Sequence, residues 1–123
     1  MTEERSFTIE EASAELAELR ERLPRLRDAR RALIDASRKI DEAVAVDGGG
    51  VEGSAWFRAQ TVLRDELEYV VSRGVVLRDP DAGLVDFPAT RDGDDVFLCW
   101  RLGEPAIAWF HGRRSGFSGR RPL

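Results

Sequence analysis

The sequence has 123 residues, of which 42% are hydrophobic and 34% are charged. This hydrophobic fraction argues against intrinsic disorder, and the length suits one domain with a modest core. The formal net charge is −4 and the isoelectric point is about 5.1, so nothing in the overall charge favours binding to nucleic acid or to an anionic membrane.

A single cysteine, Cys99, excludes an intrachain disulfide and is typical of proteins in a reducing compartment. The N-terminal residues are acidic and polar, unlike a secretory signal. No apolar run approaches the roughly 18 residues that a membrane span needs. The sequence therefore predicts a cytoplasmic protein without a membrane segment.

A long amphipathic helix is predicted first. Thr8 and Glu11 have the spacing of a capping box, in which each side chain bonds the backbone amide of the other. Apolar residues then recur at spacings of three and four up to Ile40, as in about five heptads. Pro24 interrupts this pattern, and because proline removes a backbone donor we expect a kink or two abutting helices.

A second, shorter helix is predicted after the glycine-rich stretch 47–53. Ser54 is a candidate N-terminal cap, and Gly74 is a candidate C-terminal cap. Between them, apolar residues recur at helical spacing, namely Trp56, Ala59, Leu63, Leu67, Val70 and Val71. The glycines let this helix fold back antiparallel on the first, so residues 8–74 form a helical hairpin.

The two helices differ in length, at about 57 Å and about 30 Å for a rise of 1.5 Å per residue. The shorter helix therefore covers only part of the longer one. The apolar stripe formed by Ala12, Leu16, Leu19 and Leu23 must be buried by the sheet or by a second chain. We predict a homodimer through this N-terminal helix.

From Val75 onward the pattern changes to short strands separated by turn residues. Asp79–Gly83 and Arg91–Asp94 have the composition of turns, and Gly103–Glu104 reads as a tight corner. Four strands are predicted, at 75–78, 84–89, 96–102 and 106–111. The fold class is therefore α+β, with a four-stranded antiparallel meander over 75–111, an irregular tail over 112–123, and one domain over 1–123.

The predicted turns also assign side chains to the two faces of the sheet. The Asp92-Gly93 turn pairs Asp86 with Cys99, and the Gly103–Glu104 corner pairs Val96 with His111. Since side chains alternate along a strand, His111 is expected on one face with Leu98, Trp100 and Trp109. The opposite face is expected to carry Asp86, Cys99, Arg101, Phe97 and Phe110; a bulge would change part of this assignment.

Several polar residues among the strands are of types that bind metals, with Asp86, Glu104 and His111 as the candidates and Cys99 beside them. Glu104 and His111 are seven residues apart, which is roughly 23 Å along a strand, so one ion cannot join them within a regular hairpin. A metal site would need helix carboxylates or a second subunit. The sequence leaves the cofactor unknown.

Each of these residues also has a structural interpretation. Asp86 and Arg101 suit a cross-strand ion pair, Cys99 a small core residue, and His111 a structural histidine at a strand end. Glu104 either anchors the corner or pairs with an arginine of the tail. Arg120 belongs to a glycine- and arginine-rich tail that either cradles a phosphate or forms a strap over the sheet, paired to carboxylates of the first helix. The candidate ligand-binding set is Asp86, Arg101, Glu104, His111 and Arg120.

Five stretches resemble one known family in order and spacing. They are FTIEEA at 7–12, GLVDFP at 83–88, LCWRLGE at 98–104, WFH at 109–111 and GFSGR at 116–120. On these motifs the sequence resembles the prokaryotic family of domains of unknown function numbered 2203. Phe110 departs from the Trp-His step usual in that family. The resemblance supports the fold prediction and implies no activity, because the family has none established.

Two functions stay open from the sequence. The unmatched helix stripe and the lack of a complete catalytic constellation favour a non-catalytic, dimeric protein-interaction module. The alternative is a protein, either an enzyme or a binding protein, that takes a small ligand or a metal at a site between sheet and helices. The acidic charge of the chain argues against nucleic acid as a partner.

Overall fold

The computed structural model describes residues 5–47 and 53–123, and the side chains of 43–47 and 53 are not described. Helix α1 spans Ile9–Asp47 and helix α2 spans Gly53–Ser72. Strands β1 to β5 span Val76–Asp79, Leu84–Arg91, Asp94–Arg101, Trp109–Gly112 and Arg121–Pro122. Most of the glycine-rich connection predicted between the helices, residues 48–52, lies outside the described residues.

The capping box at the start of α1 is confirmed. The amide of Thr8 donates to Glu11 Oε1 at 2.9 Å, and the amide of Glu11 donates to Thr8 Oγ1 at 3.0 Å. The bond from the Thr8 amide favours the ionised carboxylate and, together with the Thr8 side chain, lowers the pKa of Glu11. The helix continues through Pro24, so the predicted alternative of two separate helices is wrong. Neither helix, over its described residues, is long and apolar enough to cross a membrane.

The two helices form the predicted antiparallel hairpin. Trp56 Nε1 donates to Ser37 Oγ at 3.1 Å near one end, and Arg22 reaches the buried Glu66 at 3.2 Å further along. At the other end, Arg73 pairs with the buried Glu15. The predicted apolar stripe of α1, from Ala12 to Leu23, is buried in one core with α2 and the sheet, and Ala12 and Leu19 are both fully buried.

The sheet is an antiparallel meander in the order β1-β2-β3-β4-β5. The sequence predicted its first four strands, and the fifth arises because the tail returns to pair with β4. The face towards the helices, here called the inner face, contributes Val85, Phe87, Leu98, Trp100 and Phe110 to the same hydrophobic core as the α1 stripe. This cover removes the reason for placing a homodimer on that stripe. Dimerisation itself stays a prediction.

Candidate functional site

The face of the sheet turned away from the helices, here called the outer face, carries the candidate site. Asp86 of β2 pairs with Cys99 of β3, as the Asp92-Gly93 turn predicted. On the other side, Phe97 pairs with His111 and Cys99 pairs with Trp109. This register differs by one residue from the prediction, so His111 and Trp109 lie on the outer face and Phe110 lies on the inner face.

The prediction for β4 was wrong because the turn after Arg101, in which the amide of Glu104 donates to the carbonyl of Arg101 at 2.9 Å, is not followed directly by the next strand. Strand β3 ends at Arg101 and β4 begins only at Trp109, leaving a connection of residues 102–108. Within it, the backbone carbonyl of Glu104 accepts from Trp100 Nε1 at 3.0 Å, and Ile107 is buried in the core. These inner-face contacts hold the longer connection, and the longer connection moves His111 beside Asp86.

Asp86 is a buried carboxylate surrounded by donors. Arg78 Nε donates to Asp86 Oδ2 at 2.8 Å, and His111 Nε2 lies 3.0 Å from both carboxylate oxygens. The side chains of Asp86 and His111 are each only 3% exposed. A carboxylate buried this deeply needs compensating positive charge or strong hydrogen bonds, and these two residues supply them.

The hydrogen bonds of His111 determine where its protons lie. Nδ1 lies 2.8 Å from the carbonyl oxygen of Gly112, which can only accept, so Nδ1 carries a proton. Nε2 faces a carboxylate, which also accepts when ionised. Both contacts are satisfied when the ring carries two protons, or when a cation replaces the proton on Nε2.

Cys99 completes the cluster and is 1% exposed. Burial, followed by the charge of Asp86, raises the pKa of the Cys99 thiol to about 12. A nucleophilic cysteine needs the opposite shift, and His111 is held by Gly112 and Asp86. The arrangement therefore does not favour thiol catalysis.

Asp86, Cys99 and His111 meet the first requirement of a metal centre. Each offers one ligand atom, and the three atoms lie within 4.8 Å of one another. A carboxylate oxygen, a thiol sulfur and an imidazole nitrogen are the donor types that zinc and related ions take in proteins. Each ligand comes from a different strand, β2, β3 and β4, so the sheet register alone brings them together.

A pocket of about 390 Å³ opens above the Asp86–His111 pair. The guanidinium groups of Arg78 and Arg113 lie 4.8 and 4.2 Å from the centre of the Phe97 ring, close to the same pair. The chain after β4 returns over the outer face through a short 3-10 helix, Phe117–Gly119. The residues that line the pocket are Arg78, Leu84, Asp86, His111, Arg113, Arg114, Gly116 and Phe117.

The remaining predicted site residues lie outside the cluster. Arg101 is exposed and pairs across the sheet with Leu84, so the predicted Asp86–Arg101 ion pair is replaced by Asp86–Arg78. Glu104 fulfils both of its predicted roles, since it accepts from the amide of Arg101 at 2.7 Å and from Arg120 at 2.9 Å.

Arg120 holds the tail against the sheet, as in the strap alternative, but its partner differs from the prediction. Its guanidinium pairs with Glu104 of the sheet rather than with a carboxylate of α1. It also lies 4.8 Å from the Trp109 ring and 4.6 Å from the Phe117 ring. Arg120 therefore fastens the tail over the outer face.

Arg78 is the functional-site residue that sequence reasoning missed. The register of β1 against β2 shifts between Leu77 and Asp79, so Arg78 lies at an irregularity of the ladder. Its guanidinium reaches Asp86 from there. The sequence gave no sign of this contact, because Arg78 only ended a predicted strand. The regular alternation of side chains along a strand does not predict where a bulge occurs.

Comparison with known proteins identifies the family to which the chain belongs and nothing finer. The model of the family described as "Uncharacterized conserved protein (DUF2203)" matches residues 5–123. The chain belongs to this family. No curated protein and no solved structure matches the chain. The DUF2203 match spans both helices, the sheet and the tail, including the three residues of the cluster.

Proposed function

We propose that this DUF2203 protein binds one divalent transition-metal ion, such as Zn²⁺, through Asp86, Cys99 and His111. The observation that carries the proposal is the convergence of these three buried ligand atoms within 4.8 Å. Metal-binding proteins commonly hold the second nitrogen of a histidine ligand on a carbonyl. His111 has this arrangement, with Nδ1 on Gly112 and Nε2 facing the cluster.

The contacts also suit the size and charge of such an ion. Two ligand atoms at about 2.0–2.1 Å from a tetrahedral ion are about 3.3 Å apart, close to the 3.0 Å between His111 Nε2 and Asp86. The ion takes the place of the proton on His111 Nε2 and of the thiol proton of Cys99. Arg78 then orients the Asp86 carboxylate from outside the coordination sphere.

Titration of metal-free protein with Zn²⁺ and Co²⁺ tests the proposal. We expect one ion per chain, and Co²⁺ should give the sulfur-to-metal charge-transfer absorption of a thiolate ligand. The variants Cys99→Ser and His111→Gln should each weaken binding at least about tenfold. Asp95→Asn, at an exposed position of β3 outside the cluster, is the matched control and should bind like wild type. Substoichiometric metal, or binding indifferent to both ligand variants, contradicts the proposal.

A metal site of this kind could serve a catalytic or a non-catalytic protein. Three protein ligands leave one coordination position of a tetrahedral ion open, and that position can be used for binding or for chemistry. The thiolate ligand requires reduced Cys99. The proposal therefore places the protein in a reducing compartment, as expected for the cytoplasm.

Self-association is a second candidate function, supported by an apolar surface on α2. Leu67 and Val71 are 37% and 73% exposed, and with Leu63 they line one shallow groove at spacings of four residues. Arg64 and Glu68 line the same groove. Two copies packed antiparallel about a two-fold axis would place Arg64 of one copy near Glu68 of the other, so the surface is self-complementary in charge.

Sedimentation equilibrium over a range of concentrations tests the dimer. Leu67→Glu and Val71→Glu should shift the protein to the monomer mass, because each places a carboxylate in the apolar contact. Val62→Glu is the matched control, since Val62 is similarly exposed but lines a different groove, against α1. A concentration-independent monomer in the wild type contradicts this candidate.

A further inference from the structure

The pocket above Asp86 and His111 contains more positive charge than the cluster below it needs. Three arginines line it, and Asp86 is the single carboxylate among the lining residues. Asp86 is already paired with Arg78 at 2.8 Å. Arg113 and Arg114 are two consecutive exposed residues after β4, and both line the opening. Arg113 is engaged in contacts of its own, including the Phe97 ring at 4.2 Å, so Arg114 is the arginine that adds positive charge beyond them. This additional charge suits an anion.

The walls of the pocket are not charged throughout. Leu84 lines the pocket from the start of β2, and Phe117 contributes a ring from the 3-10 helix, with 42% of its surface exposed. A volume of about 390 Å³ lies within the range of about 300–1,000 Å³ typical of small-molecule sites. The pocket therefore suits an organic molecule with an anionic group rather than a bare inorganic ion.

The cluster and the pocket share two residues. Asp86 and His111 both line the pocket and both offer ligand atoms to the proposed metal. A molecule in the pocket therefore approaches the ion from the side that Asp86 and His111 present. Three protein ligands leave a coordination position for an oxygen of such a molecule.

We infer that the pocket binds a small organic molecule bearing a phosphate or carboxylate group, whose oxyanion contacts Arg114 and completes the coordination of the metal. This inference rests on the proposed metal site. The apolar part of the molecule packs against Phe117 and Leu84. Phosphate and carboxylate groups each present a pair of oxygens that can accept two parallel hydrogen bonds from one guanidinium.

Calorimetric titration of Zn²⁺-loaded protein with inorganic phosphate, phenyl phosphate and benzoate tests the inference. We expect saturable binding at one molecule per chain, with phenyl phosphate or benzoate tighter than inorganic phosphate. Arg114→Gln should weaken binding of the organic anion about tenfold or more, the loss expected for one charge-assisted hydrogen bond. Phe117→Ala should lower the affinity for phenyl phosphate to about the affinity for inorganic phosphate. Arg58→Gln, an exposed arginine of α2 remote from the pocket, is the matched control and should change nothing.

The possible results of these titrations distinguish the anion pocket from the proposed metal site. Protein that takes up one Zn²⁺ but binds none of the three anions overturns the inference and leaves the metal site standing. Equal weakening by Arg114→Gln and Arg58→Gln also overturns it, since the effect would be one of general charge. Failure to bind Zn²⁺ in the first titration overturns the metal site and the inference together. Binding of benzoate but not of phenyl phosphate supports the inference and makes the ligand a carboxylate.

Discussion

At the scale of single residues, Asp86 is the group on which the site depends. Its carboxylate accepts from Arg78 and His111 at 2.8 and 3.0 Å while nearly all of its surface is buried. Removing the charge leaves both donors facing a neutral amide. The network is therefore a source of stability in the metal-free protein as well as a candidate ligand set.

We predict that Asp86→Asn destabilises the metal-free protein by about 3 kcal/mol, the low end of the cost of breaking a buried ion pair. Arg78 is 44% exposed and keeps part of its hydration, which is the reason for choosing the low end. Urea denaturation measures the effect. Asp95→Asn, at an exposed position of β3, should stay within about 0.5 kcal/mol of wild type. Equal transition midpoints for the two variants would contradict the role given to Asp86.

Cys99 gives the proposed metal site a defined pH dependence. Its pKa of about 12 keeps the thiol protonated near neutral pH, so binding of a metal as thiolate must release that proton. Apparent affinity therefore rises with pH, and the thiol contributes about tenfold per pH unit between pH 6 and 8. Cys99→Ser should lose that contribution. Competition titrations with a metal indicator at several pH values measure both slopes, and identical slopes would refute thiolate ligation.

The sequence identified the candidate residues of the site better than it predicted which residues contact them. Asp86 and Cys99 were paired correctly because the Asp92-Gly93 turn has both residues at positive φ, 52° and 84°, as a two-residue hairpin turn requires. His111 was assigned to the wrong face, and Arg78 was overlooked. Both errors concern one-residue shifts in register, which reverse the face of a side chain without altering the hydrophobic pattern much.

At the scale of elements, the connections decide where the site forms. The helices were predictable from capping and periodicity, since both signals are local. The connection from β3 to β4 is set by tertiary contacts, such as that of Trp100 with the Glu104 carbonyl and the burial of Ile107. A local sequence rule predicts the turn after Arg101 but not that strand pairing resumes only at Trp109.

The turn between β1 and β2 contains a glycine that the fold requires, and this yields a prediction. Gly83 has φ +68°, and a Cβ there would lie 2.6 Å from Leu102 Cβ. Gly83→Ala should cost about 1 kcal/mol for the left-handed backbone and a further 1–3 kcal/mol or so for overpacking. Gly93→Ala separates the two costs, because Gly93 has φ +84° but open space around its Cβ position. Thermal and urea denaturation should show that Gly83→Ala is less stable than Gly93→Ala. The reverse order of stability would contradict the clash with Leu102.

At the scale of the whole molecule, the sheet is covered on its two faces by different parts of the chain. The helices bury the inner face, and the tail covers the cluster on the outer face through Phe117, Arg120 and the pairing of β5 with β4. The composition of the tail left a strap and a phosphate cradle as alternatives, and it gave no sign of the strand, because two paired residues leave no periodicity to detect.

This division predicts that loosening the tail exposes the site without unfolding the helices. Cys99 in the full chain should react very slowly with a thiol reagent, because it is 1% exposed and its pKa is about 12. Deleting residues 113–123 should speed the reaction by orders of magnitude, while circular dichroism still reports the helices that pack on the inner face. The full-length variant Phe117→Ala/Arg120→Ala should show a smaller increase in the same direction, because it removes the strap's ring and its ion pair with Glu104 but keeps β5. If Cys99 stays as slow in both variants as in wild type, the strands alone protect it and the tail is not the cover. If the helical signal is lost with the tail, the two faces fold as one unit.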